Sequence, residues 1–238
     1  MSYLNARCLL ACGVLVLAAD VAAQDRGAVY VNAGGSFPHQ AAPGSGTKPP
    51  FAAPGGNTIG WLLGGGVFLS PKMSIEGELS STGVMKSTQS GRDFVEVASR
   101  RDRFVSLGVK GHVPSRTGVR VEPVGGIVLT LPGDASMDTS QYRPTPSGPQ
   151  LVSSTIGYAD LARHLGFMFG ADVRIGGRHL ALVPGVRIAY TNVTHGTSYV
   201  RGFSGDLINL GDRDMSSIFD GGYPKWTQRA TLSLNMDF

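Results

Sequence analysis

Period-two alternation of apolar and polar residues, in segments of about ten joined by connections that are alternately short and long, constrains this chain more than any other feature. In the segment from Met73 to Ser80, Met73, Ile75, Gly77 and Leu79 fall on one face and Ser74, Glu76, Glu78 and Ser80 on the other. The last segment repeats the pattern, with Trp226, Ala230, Leu232, Leu234, Met236 and Phe238 against Thr227, Arg229, Thr231, Ser233, Asn235 and Asp237. Only an extended chain separates such sets, because side chains alternate across a strand.

The same reading places six further strands: Gly27 to Phe37, Asn57 to Leu69, Arg101 to Val113, Val119 to Leu131, Leu161 to Ile175 and His179 to Thr191. Pro123 and Pro184 fall inside two of them and are expected to mark bulges, since proline removes a ladder donor. Ser70 to Lys72, Pro114 to Gly118 and Gly176 to Arg178 are tight turns, whereas 39–56, 84–100, 132–158 and 192–225 are long and rich in Gly, Pro, Ser and Asn. Strict alternation of long and short connections puts every long loop at one end of an eight-stranded antiparallel up-and-down sheet. The 34 glycines and 14 prolines agree with strands and loops rather than helices.

The chain opens with Arg7, an apolar run from Cys8 to Ala19, and small residues at Val21, Ala22 and Ala23. This is the layout of a secretory signal peptide spanning 1–23, with the domain at 24–238 beginning at Gln24. The run is too short to cross about 30 Å of hydrocarbon as a helix. Leu9, Leu10, Ala11 and Cys12 resemble a lipobox, but the most apolar stretch, Gly13 to Ala19, follows Cys12, so cleavage after Ala23 is the expectation. Both cysteines leave with the signal, so disulfides cannot hold the domain. The net charge of +4 is too diffuse to argue for nucleic acid as a partner.

Alternation alone does not say which wall faces inward, since a soluble lipid-binding barrel has the same period. Length and charge decide. A ten-residue strand tilted near 45° covers roughly 23 Å, close to the apolar band of a membrane barrel. The polar wall carries Glu76, Glu78, Glu122 and Asp172 with Lys110, Arg174, Arg187 and Arg229, four acids and four bases that can pair across a narrow lumen. The apolar wall then meets lipid.

A cleavable signal, alternating long loops and short turns, and a final amphipathic strand ending in an aromatic residue resemble the small bacterial outer-membrane barrels of the OmpA, OmpX and OmpW kind. Trp226, Leu232, Leu234, Met236 and Phe238 resemble the C-terminal signal read by the barrel-assembly machinery. The resemblance implies a transmembrane β-barrel with periplasmic turns and extracellular loops, a monomer whose partners are outer-membrane lipid and lipopolysaccharide. Phe37, Trp61, Tyr158, Tyr190 and Trp226 would form an outer aromatic girdle and Phe238 an inner one.

Function is less legible, because barrels of this fold serve unrelated activities. Arg100, Arg101 and Arg103 at the outer end of the fourth strand fit contact with lipopolysaccharide phosphates, or equally a solvated loop end. Lipid A acyl-transfer chemistry needs a histidine with a serine and an acid near the outer interface; His195 with Ser198, and His164 with Ser154 and Asp160, are the nearest combinations. Asp206, Asp212, Asp214 and Asp220 lack the glycine-centred spacing and closing Glu of a calcium loop, so no metal is expected. The Gly64 to Gly66 run lacks the helix and Lys of a phosphate loop, and no cofactor is expected. The reading is a non-enzymatic surface protein acting through its loops in adhesion, envelope integrity or environmental interaction. A lipid A-modifying enzyme and a narrow conduit for small apolar solutes are the alternatives.

Overall fold

The computed structural model describes residues 27–40, 51–52, 56–113, 119–131, 133–177, 179–202, 205–215, 219–220 and 223–238. The expected signal segment and its cleavage site lie outside these residues, as does the turn at 114–118. In chain order the strands are β1 (Val29–Gln40), β2 (Phe51–Ala52), β3 (Gly56–Asn57), β4 (Gly60–Ser70), β5 (Met73–Ser81), β6 (Met85–Ser90), β7 (Phe94–Arg100), β8 (Arg103–Gly111) and β9 (Val119–Leu131). They continue as β10 (Asp134–Thr145), β11 (Gly148–Leu161), β12 (His164–Gly176), β13 (Leu180–Tyr190), β14 (His195–Arg201), β15 (Leu207–Asp214), β16 (Phe219–Asp220) and β17 (Trp226–Asp237).

Eight antiparallel strands, β1, β4, β5, β8, β9, β12, β13 and β17, pair in sequence, and β17 pairs back onto β1 to close a barrel. Their bounds agree with those read from the alternation to within three residues. Ladder partners followed from Val29 pass through Val67, Ile75, Val109, Gly125, Phe169, Ile188 and Gln228. They return to β1 at His39, a stagger of ten residues. At about 3.3 Å per residue and about 4.8 Å between strands, that stagger tilts the strands by about 40°.

Neither proline forms the expected bulge. Beside Pro123 the β8–β9 ladder stops at Lys110 opposite Val124 and resumes in the same register at the Val113–Val121 bridge. Beside Pro184 the β12–β13 ladder skips from Asp172 opposite Gly185 to Ile175 opposite Leu182, again without a shift. The neighbouring ladders, Ala171 opposite Pro123 and Pro184 opposite Leu232, run unbroken. Each proline therefore costs one ladder a short gap and leaves its other neighbour paired. The register shift in the barrel lies instead between Phe68 and Ser70, at the tight β4–β5 turn.

Exposure follows the alternation with an inverted sense. Leu107 and Leu234 are each 53% exposed, while their neighbours Ser106 and Ser233 are 3% and 6%. Val31, Val67, Ile127, Leu182 and Val186 belong to the same outward wall. No helix among the described residues is long and apolar enough to cross a membrane, so crossing falls to the strands. Near the end that carries the long connections Phe37, Trp61 and Trp226 face out, and Trp226 joins Tyr190 and Phe167 with centroids 4.9 and 5.9 Å from its own. Such rings suit the boundary between hydrocarbon and headgroups.

The long connections are not simple linkers. β6 and β7, β10 and β11, and β14 and β15 are hairpins, and they join edge to edge into a second, six-stranded sheet in the order β15-β14-β11-β10-β7-β6. Tyr158 belongs to β11 of this sheet, opposite Tyr199, and not to the girdle at the barrel rim, because the chain stays extended past the rim before turning. The two-residue strands β2 and β16 pair with each other in parallel.

Leu182→Arg or Leu234→Arg is expected to lower stability by about 2–4 kcal/mol, the cost of a charge near the bilayer midplane. Ser106→Ala, facing the lumen, is expected to cost about 1 kcal/mol or less. Denaturant titration of barrels refolded in lipid vesicles checks the contrast; equal costs would point the apolar wall inward.

Candidate functional site

Residues of the polar wall meet inside the barrel because successive strands present them at matching heights. Glu76 and Glu78 of β5, Lys110 of β8, Asp172 of β12, Arg187 of β13 and Arg229 of β17 are all buried. Arg187 grips Asp172 with both terminal nitrogens, Nη1 to Oδ1 at 2.5 Å and Nη2 to Oδ2 at 2.9 Å. Lys110 Nζ lies 2.8 Å from the same carboxylate and also pairs with Glu76. Arg187 reaches Glu76 at 3.6 Å and Glu78 at 3.8 Å, and Arg229 pairs with Glu78 at 2.9 Å and donates to Ser80. Three acids and three bases form one connected cluster. Isolated, each would carry a desolvation cost of several kcal/mol; paired and hydrogen-bonded, they offset one another.

Glycines make room for these long side chains. A Cβ on Gly185 would collide with the Asp172 carboxylate and come within 2.9 Å of Thr231 Oγ1, and one on Gly170 would lie 3.1 Å from Arg187 Cδ. The Gly64–Gly66 run serves close packing too, since added Cβ atoms would strike Asn32 and Tyr30.

Glu122 and Arg174 stand apart from the six-member cluster. Glu122 pairs with His112 at 3.0 Å, and His112 Nε2 lies 2.9 Å from Ser74 Oγ. Arg174 donates to Asn235 Oδ1 at 2.6 Å and to Asp237 at 2.9 and 3.1 Å. Tyr30 donates to Glu76 Oε2 at 2.9 Å, with the Lys110 ammonium 5.6 Å from its ring centre. His112, Asp237, Asn235 and Tyr30 thus complete the lumen, and their places on the polar side of the alternation were the available signal.

Toward the end that carries the long connections the lumen turns apolar. Phe104, Val124, Val128, Met168 and Ala189 form one buried cluster, and the Arg229 guanidinium lies 5.4 Å from the Phe104 ring centre. Above it, Arg100 is 1% exposed, pairs with Asp102 at 3.3 Å and stacks 4.7 Å from the ring centre of Tyr223, whose hydroxyl donates to Asp102. Arg100 therefore faces inward and does not meet lipopolysaccharide as expected. Alternation turns it away from Arg101 and Arg103, which are exposed. Tyr223 also packs with Ala135, Ala159, Leu161, Val193 and Met215 against the inner face of the six-stranded sheet.

On that same inner face, two residues before Ala98, Glu96 is buried and its Oε2 has no hydrogen-bond partner among the described residues. Burial pushes its carboxyl up to about 7.

The residues considered for acyl-transfer chemistry do not assemble. His195 is exposed on the outer face of β14 and contacts Thr194 Oγ1 at 3.0 Å, whereas Ser198, an odd number of residues away, is buried on the inner face. Asp160 is exposed while His164 turns toward the lumen opposite Thr130, and Ser154 lies six residues from Asp160 along β11. Asp206, Asp212 and Asp214 are exposed, and no metal-holding group of three His, Cys, Asp or Glu occurs among the described residues. Of the terminal-strand residues, Trp226, Leu232 and Leu234 are exposed to the outside, and Met236 and Phe238 are half-buried at the other end.

Replacing Arg187 by Leu strands Asp172, Glu76 and Glu78 without their shared partner and is expected to cost about 3–5 kcal/mol. Asp172→Asn with Arg187→Gln should cost less than the two single changes added together, read from a double-mutant cycle of unfolding in vesicles. Glu96 sets a pH dependence. Its raised pKa means the folded sheet holds a proton that the unfolded chain has lost. Its contribution is therefore full below the ordinary carboxylate range near 4.5 and is lost as pH rises through about 7. Glu96→Gln should protect the β6–β7 hairpin from protease at about pH 8 and change little at about pH 5.

No family model matches the sequence, and no curated protein matches it. Among solved structures the chain is similar to a major outer membrane protein from Thermus thermophilus, with 14% identity over 89% of this chain and 98% of that one and a TM-score of 0.58. OprG from Pseudomonas aeruginosa (13% identity, 91% and 99% covered, TM-score 0.47) and Ail of Yersinia pestis (10%, 90% and 99%, 0.45) also align. A closed ladder, an outward apolar belt, a polar lumen and the likeness to the Thermus structure give the chain the fold of a bacterial outer-membrane β-barrel.

Proposed function

We propose that the chain is a non-enzymatic outer-membrane protein that acts at the cell surface through its extracellular sheet, in adhesion or contact with the environment. The observation that carries this reading is the division of the molecule into a filled lumen and a built extracellular platform. The buried charge cluster and the apolar layer above it fill the lumen with side chains, which disfavours a conduit. Outside the barrel, three paired hairpins offer an ordered surface. Leu207, Ile208 and Leu210 of its edge strand β15, and Leu151 and Val152 of β11, are 41–57% exposed. Apolar groups held in water on an ordered sheet mark a contact surface, and a free edge strand can accept a partner's main chain.

Cells displaying the protein should be retained on hydrocarbon droplets and protein-coated surfaces more than cells carrying the triple change Leu207→Ser, Ile208→Ser and Leu210→Ser, at equal surface level. Planar-bilayer recordings should show no steady open conductance. Retention unchanged by the substitutions would remove the contact role from β15, and a stable open channel would restore the conduit. Mass spectrometry of lipid A from expressing cells tests the enzymatic alternative, with no change in acyl composition expected.

A further inference from the structure

The alternation from β7 into β8 is unbroken across the barrel rim: Arg100, Asp102 and Phe104 are buried, and Arg101, Arg103 and Val105 face out. Arg103 is the ladder partner of Leu131, and immediately below it Val105, Leu129 and Leu165 stand side by side on β8, β9 and β12. Leu165 is 67% exposed, more than any other barrel-strand apolar residue among those described, as expected of a side chain lying against lipid. Two residues before Leu165, in the connection that leads into β12, comes the exposed Arg163. Arg103 thus stands opposite Leu131, Arg101 beside Gly133, and Arg163 immediately before the His164–Thr130 pair, all three at the end of a three-strand apolar surface.

The side chains of Arg101, Arg103 and Arg163 form no ion pair or hydrogen bond among the described residues. Asp160, also exposed, pairs with none of them. Three unpaired guanidiniums at the water boundary of a hydrocarbon-facing wall carry a charge and a planar donor geometry that phosphate oxygens satisfy bidentately. An amphiphile with phosphates at its head and acyl chains below matches both halves of this surface.

We propose that Arg101, Arg103 and Arg163, with Val105, Leu129 and Leu165 beneath them, form a docking site for a phosphorylated lipid of the outer leaflet. The site rests on the reading of the six-stranded sheet as extracellular, and it does not use the β15 surface assigned to contact with the environment. Arg163 comes from the connection between β11 and β12, so only the folded barrel brings it to the residues near 101.

The test uses the folded barrel in phosphocholine micelles, titrated with a bisphosphorylated glucosamine lipid and with the same lipid dephosphorylated, retention being read by native mass spectrometry. The phosphorylated lipid should be retained more strongly. Each of Arg101→Gln, Arg103→Gln and Arg163→Gln should weaken it about fivefold, and the triple variant about a hundredfold, on the usual contribution of one arginine near a charged surface. Arg92→Gln and Arg143→Gln, exposed near the hairpin tips, should leave retention within about twofold, since a charge that far from the headgroup is screened. The heat-dependent gel shift of each variant reports that the barrel has folded, and the single variants keep the comparison usable if the triple does not. Equal retention of the two lipids, an equal loss in the tip variants, or displacement by inorganic phosphate would each overturn the proposal. The cell-retention assay on β15 stands whichever way this falls.

Discussion

In hydrocarbon an unpaired peptide group has no water to bond, so the ten residue pairs between β1 and β17 govern everything else in this molecule. Closure leaves no sheet edge at membrane depth, and the ten-residue stagger with which it occurs fixes the tilt and width of the barrel. Width then decides what the lumen can hold. Eight strands enclose a space that side chains fill, and the residues facing it must be either small or paired.

That demand explains the distribution of glycine and charge together. Where Arg187 spans toward Glu76 and Glu78, the positions beside it on β12 and β13 are Gly170 and Gly185, whose added Cβ atoms would strike the backbone or the Asp172 carboxylate. Charged residues are long enough to cross the lumen and join strands that are not neighbours in the ladder: Lys110 of β8 reaches Asp172 of β12, and Arg174 of β12 reaches Asp237 of β17. The pairs act as cross-braces that a smaller apolar set could not provide at this diameter. Breaking one leaves the other partners charged and dry, so the cluster holds the barrel's cross-section as much as its stability.

The barrel was legible in the sequence because one wall of each strand faces lipid and must be apolar, which imposes a period-two signal on residues such as Leu107 and Ser106 or Leu234 and Ser233. The six-stranded sheet was not. Its two faces meet water and a shallow interior, so Ser136, Asp138 and Ser140 on one side of β10 face outward while Ala135 and Met137 face in, with little contrast between them. Pro144 and Pro149 at its hairpin end and the run Ser153, Ser154, Thr155 read as loop chemistry, yet the ladders form because neighbouring hairpins pair with one another. The eight lumenal charges were legible as a set but not in their partners: parity places Glu122 inside, whereas only the fold shows that His112 meets it. Arg100 shows the same limit, since a run of nearby arginines hides the alternation that sends one inward to Asp102 and Tyr223.

That alternation also locates the boundary between the two solvents of the molecule. From β7 to β8 the inward residues are Glu96, Ala98, Arg100, Asp102, Phe104 and Ser106, mostly polar, while the outward residues change from Val97 and Ser99 to Arg101 and Arg103 and then to Val105, Leu107 and Val109. Polar and charged side chains on the outer wall are tolerated only where water or headgroups reach, and an unbroken apolar run only where lipid chains do. The change between Arg103 and Val105 therefore marks the outer edge of the hydrocarbon on this strand. At the entry to β12 the change from Arg163, in the connection before the strand, to Leu165 marks it again, and the ladder puts Leu165 and Val105 on either side of the same residue, Leu129. Two strands from different parts of the sequence place the edge at one height, which a rigid closed barrel in a flat bilayer requires and which a soluble sheet has no reason to satisfy.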